Sequence, residues 1–265
     1  MPKAILKDVS LNYTLSGPEG APILMFSNSL GTNYHMWDQQ AALFSKNWRV
    51  LRYDTRGHGA SEVTPGPYTI DQLAGDVINL LDYLKIERVH FCGLSMGGFI
   101  GQALALGWPS RITSLVLANT AAYLGPKERW DDRLAMIQKV GLRAISKDVL
   151  GLWFTDGFLE SAPDIWTKMQ EMYCANDLDG NIASSLAIRD ADFRNDIKRI
   201  QMPTLIIYSV NDLATPAELS KFIGGEISGA ILAGINQAGH ISNIEQPEIF
   251  NAHLGKFLNE NLAVA

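Results

Sequence analysis

The sequence predicts an α/β fold in which a mostly parallel, eight-stranded sheet is flanked by helices and carries an inserted helical cap. Short apolar runs typical of strands alternate with segments of helical periodicity along most of the 265 residues. Such alternation implies parallel strands joined by right-handed crossovers. One interruption, residues 119–203, is too long for a single crossover helix. The sequence therefore divides into a core, 1–121 and 201–265, and a cap, 122–200.

The predicted strands are short apolar runs that end at turn residues. The first two show alternating apolar positions and end at Ser16-Gly17-Pro18, whereas the later runs are typical of buried strands. The strands are predicted at 4–8, 11–15, 22–27, 49–53, 89–92, 113–118, 204–208 and 230–233. These eight strands are enough to build one sheet through the whole core.

The predicted helices are recognised from apolar stripes and from start signals. Thr69 followed by Gln72 is a capping-box pattern, and it opens a helix whose apolar stripe runs from Leu73 to Leu84. The other helices are predicted at 36–44, from 95 to 107, at 130–141, at 163–172, after 216 and from about 248. The helices at 130–141 and 163–172 belong to the cap, where three tryptophans would help to line a pocket.

The stretch 88–101 changes from strand to helix across the five residues Gly93-Leu94-Ser95-Met96-Gly97. In a G-x-S-x-G turn the serine adopts a strained backbone at the carboxyl edge of a parallel sheet, and the glycines avoid collisions with the neighbouring strand and helix. The following helix offers free N–H groups and the positive end of its dipole to an oxyanion. The pattern predicts Ser95 as a nucleophile. A Gly/Ser-rich turn without chemistry is the alternative interpretation.

The loop after the third predicted strand, Asn28-Ser29-Leu30-Gly31-Thr32, is expected to complete an oxyanion hole. In α/β-hydrolase folds this loop supplies one backbone N–H group, and the residue after the nucleophile supplies the other. The predicted donors are therefore Leu30 and Met96. This prediction depends on Ser95 being the nucleophile.

An acid and a base follow Ser95 in the order that this architecture requires, which is Ser, then Asp or Glu, then His. Asp212 comes just after the seventh predicted strand, at the same sheet edge as Ser95. His240 lies in a loop after the last predicted strand. The end of the sixth strand carries Asn119, which cannot be an anion. The sequence thus predicts a Ser95–His240–Asp212 triad for acyl transfer.

Composition argues against several other classes of protein. A net charge of −6 gives no electrostatic support for binding nucleic acid. No apolar run reaches the length of a membrane span and no signal-peptide pattern is present, so a cytoplasmic location and no membrane partner are expected. The cysteines, Cys92 and Cys174, suggest neither a disulfide framework nor a metal site. No metal and no cofactor are expected.

With these residues placed, the chain resembles the 3-oxoadipate enol-lactone hydrolases of the α/β-hydrolase fold. The matching segments cover nearly the full length and include SNSLGT at 27–32, HFCGLSMGG at 90–98, LANTAA at 117–122, AIRDADFR at 187–194 and AGHISNIEQP at 238–247. The resemblance implies that a five-membered enol lactone is opened to 3-oxoadipate during bacterial breakdown of aromatic compounds. It carries the triad over to Ser95, Asp212 and His240. One departure is Ser209, where many relatives have glycine.

The substrate implied by the resemblance is a small lactone with a free carboxylate, so an acidic protein needs a local cation to bind it. An arginine fork suits a carboxylate better than a lysine does. The candidates are Arg133 and Arg189 in the cap, with Trp130 and Trp153 as candidates for contact with the lactone ring. Arginines on an exposed helix surface would give the same sequence pattern.

Three other activities remain compatible with the same residues. Another esterase or lactonase, or a cofactor-free perhydrolase, would use the triad on a different acyl group. A hydrolase of carbon–carbon bonds in ring-cleavage products would also keep the triad. A ligand receptor that retains a hydrolase site would turn over very slowly. The sequence leaves the oligomeric state open, and the serine at position 95 excludes fold relatives that need an aspartate nucleophile.

Overall fold

The computed structural model describes residues 2–262 and contains the eight predicted strands in one sheet. They are β1 (Lys3–Ile5), β2 (Ser10–Ser16), β3 (Ile23–Ser27), β4 (Arg49–Tyr53), β5 (Val89–Leu94), β6 (Ile112–Ala118), β7 (Thr204–Ser209) and β8 (Ile231–Ile235). The spatial order is β1-β2-β4-β3-β5-β6-β7-β8. Only β2 runs against its neighbours, and the pairs from β4 through β8 are parallel. The predicted fold class is confirmed.

The helices follow the strands as the alternation predicts. They are α1 (Asp38–Phe44), α2 (Ile70–Tyr83), α3 (Met96–Gly107), α4 (Lys127–Trp153), α5 (Phe158–Ser161), α6 (Pro163–Cys174), α7 (Leu178–Asp190), α8 (Ala217–Glu226), α9 (Ser242–Glu245) and α10 (Pro247–Glu260), with 3₁₀ turns at Tyr34–Trp37, Pro109–Arg111 and Ile197–Arg199. Thr69 caps α2 as predicted, because its side chain accepts a hydrogen bond from the Gln72 N–H group (3.1 Å). Within residues 2–262, no helix combines the length and the hydrophobicity that crossing a lipid bilayer would need.

Two apolar layers bury the sheet, because alternate residues of each central strand point to opposite faces. In β5, Phe91 packs into the layer that contains α2 and α3, and Cys92 packs into the layer that contains α1 and α10. Every residue of β5 and β6 is buried. The β5–α3 turn is therefore anchored in the centre of the fold.

Helices α4–α7 lie between β6 and β7, in the segment 122–200 that was predicted as the cap. The two ends of this insertion meet, because Tyr123 and Asp192 form an isolated antiparallel bridge and the Phe193 N–H group donates to the Ala122 carbonyl (2.8 Å). The helix predicted at 130–141 continues to Trp153 after a break at Gly141, where φ is +77°. No apolar stripe predicted α7, since its buried positions are mostly small or polar residues.

A buried ion pair fixes the loop between β4 and α2. The Arg56 guanidinium donates to both carboxylate oxygens of Asp76 on α2, over 2.7 Å from Nε and 2.6 Å from Nη2. Both side chains are almost fully buried, and Arg56 also donates to the Thr64 hydroxyl (2.9 Å). A charge pair removed from water in this way strongly favours one arrangement of the loop, because separating the partners would leave a buried charge uncompensated. This loop carries His58, which contacts the active-site region.

Candidate active site

Ser95 occupies the strained backbone position that the G-x-S-x-G pattern predicts, with φ 58° and ψ −114°. The glycines around it are required by close packing. A Cβ atom on Gly93 would lie 2.1 Å from the Gly97 carbonyl oxygen, and one on Gly97 would lie 2.3 Å from the Ser27 carbonyl oxygen. A Cβ atom on Gly98 would lie 2.6 Å from Thr120. The turn therefore holds Ser95 at the start of α3, at the carboxyl edge of the sheet.

Asp212 and His240 meet at the same edge of the sheet. His240 Nδ1 lies 3.0 Å from Asp212 Oδ2 and 3.2 Å from Oδ1, and both side chains are buried. The carboxylate also accepts hydrogen bonds from the Ala214 and Thr215 N–H groups (2.9 and 2.8 Å) and from the Thr215 hydroxyl (2.8 Å). Because Nδ1 faces the carboxylate, Nε2 is the ring nitrogen that remains for a reacting group.

The surroundings of Asp212 keep it ionised. Burial by itself would raise the pKa of Asp212, but the adjacent His240 ring and the surrounding hydrogen-bond donors hold this pKa below its ordinary value. The carboxylate is therefore an anion at neutral pH. It fixes the imidazole tautomer and stabilises the ring when the ring takes up a proton.

Asn119 is a partner of Asp212 that the sequence analysis set aside because it cannot be an anion. Its Nδ2 group donates to Asp212 Oδ2 (2.9 Å) and to the Ser209 hydroxyl (2.9 Å), and its Oδ1 atom accepts from the Ser242 hydroxyl (2.6 Å). Ser209, the departure from the family pattern, thus has a definite contact. For Asn119, the signal available in the sequence was its place directly after β6, which lies beside β7 in the sheet.

The loop that carries His240 is bonded to the end of cap helix α4. The Gly239 N–H group donates to Glu245 Oε2 (2.7 Å), and Glu245 Oε1 accepts from the Thr155 N–H group (3.0 Å). The Ile241 N–H group donates to the Trp153 carbonyl (3.1 Å). Gly239 and Ile241, the residues on either side of His240, are therefore bonded to Glu245 and to the cap, and Glu245 itself binds the cap.

Ser95 and His240 line one cavity of about 240 Å³, together with Leu30, Trp130 and Trp153. Among the hydrogen bonds of residues 2–262, none joins the Ser95 hydroxyl to His240. Contacts of this kind often tighten only when substrate is bound. The remaining lining residues are Ser29, Phe99, Leu124, Arg129, Arg133, Leu152, Ile188, Ala214 and Thr215. The cavity is mostly apolar, with cationic groups contributed by the cap.

The predicted oxyanion donors are the backbone N–H groups of Leu30, which lines the cavity, and of Met96, which follows Ser95 in the chain. Within the described part of the chain, no hydrogen bond has the Leu30 or the Met96 N–H group as its donor. The two loops are joined to each other, since the Gly97 N–H group donates to the Asn28 carbonyl (3.0 Å). Two unpaired N–H groups next to Ser95 have the chemistry of an oxyanion hole.

His58 supports the loop that contains Leu30. Its Nε2 atom accepts a hydrogen bond from the Gly31 N–H group (3.0 Å), and Nδ1 lies 3.3 Å from the Arg56 carbonyl oxygen. Burial lowers the pKa of the His58 ring below the ordinary histidine value. The ring is therefore neutral at neutral pH and keeps the lone pair that the Gly31 N–H group needs.

The two predicted cap arginines lie in different surroundings. Arg133 is half-buried and lines the cavity; within residues 2–262 it forms no ion pair, and its Nε atom has no hydrogen-bond partner. Arg189 is not among the cavity residues, because its guanidinium is paired with Asp131 (2.7 Å) and Asp190 (2.8 Å). The structure does not bring Arg189 to Ser95.

Arg129 is a cavity residue on α4 that the sequence analysis missed, and its side chain is exposed. It lies four residues before Arg133, so both arginines share one face of the helix. That spacing was a signal present in the sequence. Within residues 2–262, no group of three or more His, Cys, Asp or Glu side chains is arranged to hold a metal ion.

The chain is similar to known hydrolases in both sequence and structure. Residues 22–141 match the family described as alpha/beta hydrolase fold. The chain is 43% identical to 3-oxoadipate enol-lactonase 2 of Acinetobacter baylyi over 92% of this chain and 91% of that protein. The enol-lactonase from Burkholderia xenovorans LB400 superposes with a TM-score of 0.95 at 41% identity, covering 97% of this chain and all of that one. A hydrolase from Pseudomonas aeruginosa PA01 gives 0.92 at 44% identity over 94% of each chain.

The neutral state of His58 generates a pH prediction. An unfolded histidine takes up a proton near pH 6.5, whereas the folded ring resists protonation, so the free energy of unfolding falls as the pH falls below about 6.5. Urea unfolding at pH 7.5 and pH 5.5 should show a larger loss for the wild type than for His58→Gln, by roughly 1 kcal/mol. Equal losses in the two proteins would contradict the neutral assignment.

Proposed function

Because the chain belongs to the 3-oxoadipate enol-lactonase family of the α/β-hydrolase fold, we propose that it opens an enol lactone to the corresponding oxo acid through an acyl-enzyme on Ser95. The observation that carries this proposal is one small cavity lined by Ser95, His240 and Arg133, a cap cation that forms no ion pair among residues 2–262. A nucleophile, a base and a cation that can bind the substrate's carboxylate together suit a small anionic lactone. The proposed substrate is 3-oxoadipate enol-lactone.

The proposed reaction begins with attack of Ser95 Oγ on the lactone carbonyl carbon. His240 Nε2 takes the hydroxyl proton as the new C–O bond forms, and Asp212 stabilises the resulting imidazolium. The tetrahedral intermediate collapses with cleavage of the ring C–O bond, and His240 gives its proton to the enol oxygen. The enol remains attached to the acyl group and tautomerises to the ketone.

A water molecule then releases the acyl group from Ser95. His240 accepts a proton from this water as the oxygen attacks the ester carbon, and it returns the proton to Ser95 Oγ when the acyl-enzyme bond breaks. The products are free enzyme and 3-oxoadipate, so one water is consumed for each lactone opened. The Leu30 and Met96 N–H groups are proposed to bind the oxyanion in both halves of the reaction.

The cap is proposed to set the substrate class. Arg133 is a cavity-wall cation that has no acidic partner among the described residues, and a guanidinium in a largely apolar site favours a carboxylate. Trp130 is held in place by a hydrogen bond from its Nε1 atom to the Leu124 carbonyl (2.6 Å), and Trp153 packs edge-on against Tyr173. Both tryptophans present apolar surface to the lactone ring. A cytoplasmic role in the breakdown of aromatic compounds completes the proposal.

One prediction of the proposed function concerns the nucleophile. With the lactone generated in place by the preceding enzymes, the wild type should remove enol-lactone absorbance rapidly, and Ser95→Ala should lose about 10⁴-fold or more in kcat, because the triad acts as a unit. If the wild type ignores the lactone but hydrolyses p-nitrophenyl acetate through Ser95, the triad stands and the proposed substrate is wrong. Turnover of a coloured dienone instead would indicate a carbon–carbon bond hydrolase.

Another prediction concerns the carboxylate of the proposed substrate. Arg133→Ala should lower kcat/KM for the lactone about 10- to 100-fold, the value of a hydrogen bond between charged groups, and should leave p-nitrophenyl acetate nearly unaffected. Arg189→Ala is the matched control, because it removes the same side chain from the same cap outside the cavity. An equal loss on the uncharged ester would show that Arg133 does not act through the substrate carboxylate.

A further inference from the structure

We propose that Asn176 of the cap positions the oxyanion-binding loop, so that the cap contributes to the rate of the chemical step as well as to the pocket wall. The inference rests on the proposed function, since it assigns a role in the stabilisation of an intermediate on Ser95. Asn176 lies between α6 and α7, outside the cavity lining. It therefore acts through the loop rather than by touching the substrate.

The loop that carries the predicted donor Leu30 is a tight turn. The Ser29 carbonyl accepts hydrogen bonds from the Thr32 N–H group (3.2 Å) and the Thr32 hydroxyl (2.8 Å). That carbonyl belongs to the same peptide unit as the Leu30 N–H group, so the turn aims this donor. Gly31, the third residue of the turn, has φ +77°, a value suited to glycine at this place in a turn.

The other two peptide units of the turn are held from outside. His58 Nε2 accepts from the Gly31 N–H group (3.0 Å), and Asn176 Nδ2 donates to the Gly31 carbonyl (2.7 Å). One restraint comes from the core and the other from the cap. A turn held at each of its peptide units keeps the Leu30 N–H group in a fixed direction, which is the requirement for a preorganised oxyanion donor.

The last turn of α6 also packs against this loop. A Cβ atom on Gly31 would lie 2.7 Å from the Tyr173 ring, so the cap leaves room only for glycine there. Met172 Sδ lies 3.4 Å from the Asn33 nitrogen. The contact of Asn176 is therefore part of a close fit between the cap and the loop, which limits how far the loop can shift.

Asn176 has a second set of contacts that could explain it without catalysis. Its Nδ2 group also donates to the Met172 and Tyr173 carbonyls (2.9 and 3.0 Å) at the end of α6. A helix-capping role of this kind affects stability alone. The neighbouring Asp177 is a matched control, because its side chain caps α7 by accepting from the Gly180 N–H group (3.0 Å) and does not contact Gly31.

The test compares Asn176→Ala with Asp177→Ala. Four quantities are measured: kcat/KM for the enol lactone, kcat/KM for p-nitrophenyl acetate, Ki for phenylboronic acid, and Kd for 3-oxoadipate. The boronic acid forms a tetrahedral anion on Ser95 and reports on the oxyanion hole. We expect Asn176→Ala to lose about 10- to 100-fold in kcat/KM on both esters, with an equal rise in Ki and an unchanged Kd. Asp177→Ala should keep all four near wild-type values.

Asn176→Asp provides a second variant of nearly the same shape that cannot donate from this position when ionised. Asn176→Asp should show the same losses, so it replaces Asn176→Ala in the test if the alanine variant does not fold. The inference is overturned if the variants at 176 and 177 have equal kcat/KM values. It is also overturned if substitution at 176 lowers kcat/KM for the lactone and raises Kd for 3-oxoadipate but leaves kcat/KM for p-nitrophenyl acetate and Ki for the boronic acid unchanged. If Ser95→Ala hydrolyses both the enol lactone and p-nitrophenyl acetate as fast as the wild type, the proposed function itself fails. If the wild type ignores the lactone alone, the ester and boronate results still decide the role of Asn176.

Discussion

The strained backbone of Ser95 is the constraint on which the rest of the site depends. A residue with side chain at φ 58° persists only where the surroundings fix it, and here β5, α3 and the Ser27 carbonyl leave no space for alternatives. Because β5 is buried on both faces, the strain is supported by the centre of the core. The proposed nucleophile therefore follows directly on a fully buried strand, and the loops that carry the other candidate residues lie around it.

The loops around Ser95 are held by contacts that reach across the sheet and into the cap. Asp212 is kept anionic by its neighbours, and the His240 loop is tied to the end of α4 through Glu245. The loop that contains Leu30 is joined through His58 to Arg56, a member of the buried ion pair. It is joined to the cap through Asn176. Because each loop has an anchor outside itself, the free energy of substrate binding is not needed to order these loops.

The main features of the site could be predicted because they follow local chemistry and chain order. The Ser95 turn has its own sequence pattern, and the sheet edge then restricts where the acid and the base can lie. Contacts between a side chain and a distant backbone group have no such pattern, so Asn119 and Asn176 were not predicted. Arg133 and Arg189 looked alike in sequence. In the structure Arg189 pairs with Asp131 and Asp190, whereas Arg133 lines the cavity and forms no ion pair among residues 2–262.

Active-site titration with diethyl p-nitrophenyl phosphate shows whether Ser95 is the residue that forms the covalent intermediate. The reagent transfers its phosphoryl group to an activated serine and releases p-nitrophenol. We expect one p-nitrophenol per chain, loss of activity in proportion to its release, and a mass increase on the peptide that contains Ser95. Labelling of another residue with loss of activity, or labelling of Ser95 with full activity retained, would show that Ser95 is not the nucleophile.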